Sequence, residues 1–107
     1  GDGSEKLDFT YIEDLCDGVE KIISQNNSSN ETFNITFGNS RKISDLVDIL
    51  KLHFENLRVE FKKRDKLMPF RGTLSNDKAK KILNFTPNFP IEKGYESYIK
   101  WYKSINN

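Results

Sequence analysis

The apolar residues of this chain never run together for more than three or four positions, and between those clusters they recur at two distinct periods. A membrane-spanning helix needs about 20 consecutive apolar residues. The chain can therefore only assemble short amphipathic elements, each with one face to bury. From Asp14, the residues Leu15, Val19, Ile22 and Ile23 follow the spacing of one helical face, and the polar run from Gln25 to Asn30 predicts a loop after it. Ile43 leads into Ser44, whose hydroxyl can cap the free amides of a second helix. That helix carries Leu46, Leu50, His53 and Phe54 and should end near Glu55. A short helix is expected from about Asp77, capped by Ser75 or Asn76, with Ala79, Ile82 and Leu83 inward. Pro87 and Pro90 close it. The last helix has the clearest stripe, Ile91, Tyr95, Tyr98, Tyr102 and Ile105, with Trp101 beside it.

Alternation at period two marks the other elements. Phe9 and Tyr11 suit a short strand, Phe33, Ile35 and Phe37 share one side of Thr32 to Phe37, and Leu57, Val59 and Phe61 alternate with charged residues. Lys62 to Gly72, which contains Pro69, reads as an extended loop. Short strands alternating with about four helices predict an α/β (α+β) fold on a small sheet. At 107 residues one domain is expected, burying roughly 65% of its unfolded surface. No secretory signal pattern opens the chain, so it reads as a soluble, cytoplasmic protein.

The formal charge of +1 conceals two opposed halves. Residues 1–60 hold 12 acids and 6 bases, net −6, whereas residues 61–107 hold 4 acids and 11 bases, net +7. Between residues 62 and 81 alone there are 8 bases and 2 acids. Such an excess reads as a solvated basic loop or as a site for an anionic partner.

Several chemistries are absent from the residues. One cysteine, Cys16, makes no internal disulfide, and with the one histidine, His53, it cannot supply a structural zinc site. Cys16 reads as a small buried hydrophobe on its helix. Glu13 and Asp14 are adjacent, so in a helix they diverge by about 100° and serve as negative charge at its N-terminus. Asp65 reads as charge balance among basic residues. Five Asn-x-Ser/Thr matches reflect a sequence rich in Asn. No Gly-x-Gly-x-x-Gly turn, Gly-Lys-Ser/Thr loop or Gly-x-Ser-x-Gly elbow is present, so no dinucleotide or triphosphate cradle can be read. Arg64 and Arg71 remain the candidates, because a planar guanidinium can hold two phosphate oxygens at once. A second reading is a stand-alone basic interaction module that binds nucleic acid, with Phe61, Phe70 and Phe85 available to stack on bases. Phe61 as a core strand residue and Phe85 as a packed residue after a helix count against it.

The segments themselves are familiar. Gly1-Asp2-Gly3-Ser4-Glu5-Lys6-Leu7-Asp8-Phe9-Thr10-Tyr11-Ile12-Glu13-Asp14-Leu15 resembles the hairpin, strand and helix start midway along NAD-dependent nucleotide-sugar epimerases and dehydratases, the extended short-chain dehydrogenase/reductase group. The resemblance continues through Glu31-Thr32-Phe33-Asn34-Ile35, Ile43-Ser44, the segment from Arg71 to Leu83, Pro87, Ile91 to Tyr95, and Tyr98 to Tyr102. It covers practically the whole chain. It implies that residues 1–107 form a single C-terminal substrate-binding domain, and that an N-terminal Rossmann domain, absent from this chain, holds NAD and the catalytic Tyr-x-x-x-Lys. No tyrosine here has a lysine four positions later. On this reading the fragment has no catalytic residue, binds no cofactor or metal itself, and is inactive alone, while the full-length enzyme uses NAD. The implied partners are a nucleotide-sugar substrate and the missing domain, with no nucleic acid and no membrane. A homodimer is expected of the full-length enzyme, through Rossmann-domain helices.

By the same resemblance Arg64 matches the family arginine that reaches the substrate diphosphate, and Arg71 can face the same anion. Many members carry Arg immediately before Asp-Phe as a second diphosphate contact. This chain has Leu7 there, and Arg71 or Lys6 is the candidate to take that role. Lys6 and Tyr11 are the additional candidate substrate contacts.

Overall fold

The structure, a computed structural model, describes residues 1–106. Their order is β1 (Lys6–Leu7), α1 (Ile12–Ser24), a 3-10 turn (Asn26–Ser28), β2 (Arg41–Lys42), α2 (Ile43–His53), α3 (Asp77–Leu83) and α4 (Ile91–Ile105). Four helices and one small sheet match the expected fold class, but the sheet lies elsewhere than the alternation suggests. β1 and β2 pair antiparallel, with Lys6 opposite Lys42 and Leu7 opposite Arg41. Residues 9–11, 32–37 and 57–61 join no ladder among the described residues. Alternation reports a chain with two unlike faces, whereas a strand also needs a neighbouring backbone to bond. The side-chain half of the expectation holds for Phe33 and Ile35, which pack against the core. It fails for Phe61, which is exposed.

The core forms around α3. Asn76 stands at its N-cap position, one of the two expected, but its side chain does not cap the helix, and Ala79 and Leu83 are fully buried with Ile82 beside them. Asn84 then takes the left-handed conformation (φ 53°) that commonly ends a helix. The reversal turns Phe85 into the interior, where Ile22, Phe33 and Ile35 meet it. The polar run after α1 closes this core from the outside. Gln25 Nε2 donates to the Leu83 carbonyl at 3.0 Å and Asn27 Nδ2 to that of Ile82 at 3.1 Å. These bonds satisfy carbonyls that the last turn of α3 leaves free.

Two helices present faces other than those expected. In α1 the buried residues are Asp14 and Gly18, with Ile22 partly covered, while Ile12, Leu15, Val19 and Ile23 are exposed. The helix is thus turned by about one residue, roughly 100°, from its apolar stripe. Cys16 is exposed with that stripe, against the expectation of burial. A Cβ on Gly18 would collide with the Ile35 side chain, so only bare backbone lets α1 lie against residues 33–37. In α4 the buried residues are Ile91, Gly94 and Ile99, whereas Tyr98, Trp101, Tyr102 and Ile105 are exposed. The apolar periodicity of each helix identifies a face that wants cover, but another face meets this domain's core.

The remaining helix, α2, ends two residues before Glu55, and its N-cap is Lys42 instead of Ser44. The first-turn amides have partners from the N-terminal segment: Ile43 N–H donates to the Glu5 carbonyl and Ser44 N–H to that of Gly3, both at 2.9 Å. Asp45 accepts from the Lys42 amide at 3.2 Å. With those donors satisfied, the Ser44 hydroxyl is not needed as a cap. Arg41 ties α2 to α4, its Nε 3.0 Å from Asp45 and its Nη1 2.6 Å from Glu92. The two carboxylates, Glu92 foremost, hold its guanidinium above the ordinary pKa. No helix among the described residues is long and apolar enough to cross a membrane.

Candidate functional site

Two straps position the basic loop. Asp8, just after β1, accepts from the Gly38 amide at 3.1 and 3.2 Å and from the Leu74 amide at 3.3 Å. Asn76, buried at the head of α3, donates to the carbonyls of Thr36 and Phe37 at 2.9 and 3.2 Å. The C-terminal end of residues 62–72 is therefore fixed against β1 and the 33–38 segment, while its start meets the chain's N-terminal amine, which donates to the Lys62 carbonyl at 2.7 Å. Within the loop, Asp65 makes a local turn, its carboxylate accepting from the Leu67 amide at 2.9 Å and its carbonyl from the Met68 amide at 3.2 Å. Asp65 is thus a turn former as well as a balancing charge.

This arrangement encloses a depression of about 580 Å³ between the N-terminal segment and the loop. Lys6, Arg64 and Arg71 all line it, together with Leu7, Phe61 and Phe70. Three of the four sequence candidates are thereby brought together from positions far apart in the chain. Tyr11 is not among them. It lies in a second depression of about 440 Å³ between residues 9–12 and α4, where its ring meets Phe89 at 4.6 Å between centroids. The same hollow holds Tyr95, whose hydroxyl pKa is pushed up by burial and then by the neighbouring Tyr98.

Sequence reasoning missed the carboxylates of the first depression, Glu5 and Glu60. Glu5 lines it, and its Oε1 lies 3.3 Å from Arg64 Nη1. The only prior sign was the opposed charge of the two halves, since the partners are 59 residues apart. Arg64 Nη2 donates to the Met68 and Pro69 carbonyls, each at 2.9 Å, and the guanidinium sits 3.9 Å from the Phe70 ring centroid. Arg71 is exposed at the rim. Such a site can neutralise and orient an anion.

The chemistry of bond making is not visible in it. Among the described residues no group of three or more His, Cys, Asp or Glu could hold a metal ion. Cys16 on α1 and His53 at the end of α2 lie on different helices. Among the described residues the sheet is a pair of two-residue antiparallel strands, with no glycine turn leading from a strand into a helix of the kind that receives a dinucleotide diphosphate.

No family model matches the chain. Individual proteins do. UDP-glucuronate 4-epimerase of Thermodesulfobacterium geofontis is 33% identical over 109 residues, which take in 96% of this chain and 32% of that protein. The solved epimerase Mth375 of Methanothermobacter thermautotrophicus superposes with a TM-score of 0.88 at 27% identity, covering 97% of this chain and 32% of that one. UDP-glucuronic acid 4-epimerase of Bacillus cereus, solved with UDP-glucuronic acid and NAD, gives a TM-score of 0.86 at 25% identity, covering 98% and 34%. The chain spans about a third of the length of each. In sequence and in fold this chain is therefore similar to about one third of nucleotide-sugar epimerases, consistent with the C-terminal part of such an extended short-chain dehydrogenase/reductase, as its motifs led us to expect.

Proposed function

We propose that this chain is the nucleotide-sugar-binding part of an NAD-dependent, cytoplasmic epimerase or dehydratase. It holds the substrate diphosphate, while a Rossmann domain elsewhere in the polypeptide binds NAD and carries the hydride transfer. The observation that carries this reading is the convergence of Arg64, Arg71 and Lys6 on one depression. Two guanidinium groups and an ammonium can neutralise a diphosphate; Arg71 is free to bond two of its oxygens, while Arg64, whose Nη2 is held by the Met68 and Pro69 carbonyls, offers Nη1. Of the three rings that could stack on bases, Phe85 is buried and Phe70 already underlies Arg64, which leaves Phe61, exposed, as the one available. The test is calorimetric titration of the chain with UDP, dTDP, GDP and CDP. Arg64→Ala is expected to weaken the binding roughly tenfold, the scale of one charge-assisted hydrogen-bonded contact. Unchanged affinity in that variant would remove Arg64 from the site.

The surface supports a partner domain. A compact monomer of this mass exposes about 6,200 Å² and has a radius of gyration of about 13 Å. This chain exposes 8016 Å² and has a radius of 16.4 Å, being only 17 Å thick in its shortest dimension. The excess, about 1,800 Å² on this one partner, exceeds the roughly 800 Å² a side of a standard interface and is of the order that large, permanent interfaces bury. We assign the exposed α1 stripe of Ile12, Leu15, Val19 and Ile23 to contact with the remaining two thirds of a polypeptide of the relatives' length. Alone, the chain is expected to self-associate through this stripe at high concentration, and Leu15→Lys with Val19→Glu to return it to monomer in sedimentation equilibrium. A wild-type chain that stays strictly monomeric near 1 mM, well above ordinary micromolar association, would count against the assignment.

A further inference from the structure

Arg64 is not free to meet an anion as it stands. Of the five N–H donors of its guanidinium, one is engaged by Glu5 Oε1 at 3.3 Å and two by the carbonyls of Met68 and Pro69 at 2.9 Å. The Glu5 and Arg64 side chains are 23% and 21% exposed, so the pair is partly shielded from water and salt. Glu5 lies within the same depression as Arg71 and Lys6, where it is the carboxylate bonded to Arg64. Its backbone is fixed, because its carbonyl accepts the first amide of α2 at 2.9 Å. A diphosphate and this carboxylate would compete for one guanidinium and would repel each other across it.

We infer that Glu5 is a competing carboxylate that sets the anion affinity of the site: it occupies Arg64 and is displaced from it when a diphosphate binds. This rests on the diphosphate reading proposed above. The carbonyl bonds to Met68 and Pro69 keep the guanidinium in place during the exchange, so Glu5 supplies competition and not the fold of the loop.

The test is titration of the chain with inorganic pyrophosphate and with UDP at low salt, followed by amide and guanidinium NMR shifts. Glu5→Gln is close in shape but carries no charge, and it should bind roughly fivefold more tightly than wild type, the scale of a partly exposed ion pair. Glu5→Asp keeps the charge and should stay nearer to wild type. The gain should vanish when Arg64→Ala is added to Glu5→Gln. A merely structural role for Glu5 would lower affinity together with melting temperature, whereas the inference expects a melting point within about 2 °C of wild type. Equal or weaker binding by Glu5→Gln, no binding by it at about 10 mM, which is beyond even a millimolar dissociation constant, or a gain that survives Arg64→Ala would each overturn the role of Glu5. If Glu5→Gln shows no gain while Arg64→Ala alone loses binding, only that role falls. If Arg64→Ala binds as wild type does, the diphosphate reading itself fails.

Discussion

Replacing Phe85 by alanine is expected to remove about 3 to 5 kcal/mol of stability, the cost of truncating a fully buried aromatic ring whose site cannot collapse. Phe85 has no exposed surface and is the largest fully buried side chain, packed with Ala79 and Leu83 under Ile22, Phe33, Ile35 and Ile82. Its position follows from the left-handed turn at Asn84, and its own amide donates to the Ala79 carbonyl at 3.3 Å. Only Ala79, Leu83, Phe85, Ile91 and Ile99 are buried apolar residues among those described, so one ring is a large share of the core. A domain of this size has a total stability on the order of 5 to 15 kcal/mol. Thermal unfolding followed by circular dichroism should therefore show a midpoint lowered by at least about 12 °C. Leu52→Ala, at a site 84% exposed, is the control that should leave the midpoint nearly unchanged. A Phe85→Ala midpoint within 3 °C of wild type, well under the shift for about 1 kcal/mol, would contradict the core described here.

The second large effect is expected at Asp14. Its side chain is buried, and its two oxygens accept from the Asn88 amide at 2.7 Å and the Phe89 amide at 3.0 Å. Read from the sequence, Asp14 is negative charge at a helix start. In the structure it is the clamp that holds the Pro87 to Pro90 segment against α1, and with it the entry to α4. Asp14→Ala leaves two partly buried N–H groups without acceptors, and hydrogen bonds to a charged group are worth about 1.5 to 3 kcal/mol each. The expected loss is about 3 kcal/mol, and Asp14→Asn should lose less because one oxygen remains to accept. Hydrogen exchange provides the local readout: the Asn88 and Phe89 amides should exchange faster in both variants, ahead of amides inside α3. Protection unchanged at those two amides would mean that other acceptors replace the carboxylate.

Helix positions were legible because their signals are local. The starts of α3 and α4 follow from Asn76 and Pro90 and the spacing of the residues after each, while α3 ends at the left-handed Asn84, before Pro87. The small sheet was not, because Lys6–Leu7 and Arg41–Lys42 pair across the chain and neither dipeptide has a pattern of its own. The arginines could be named from residue type and loop context, yet the Glu5 to Arg64 contact joins positions 59 apart and leaves no mark on either local segment.

What the amino-acid sequence determined by itself is therefore the inventory: four helices, a basic loop, and the epimerases whose one-third part the chain resembles. Which face of each helix is buried was decided only in the tertiary structure. Apolar spacing states that a face will be covered but not by what, and on α1 the core takes Asp14 and Gly18 while the Leu15, Val19 and Ile23 stripe stays outside. The physical reason is that burial depends on which surfaces fit. The small side of α1 can approach Ile35 closely, and its bulky side cannot.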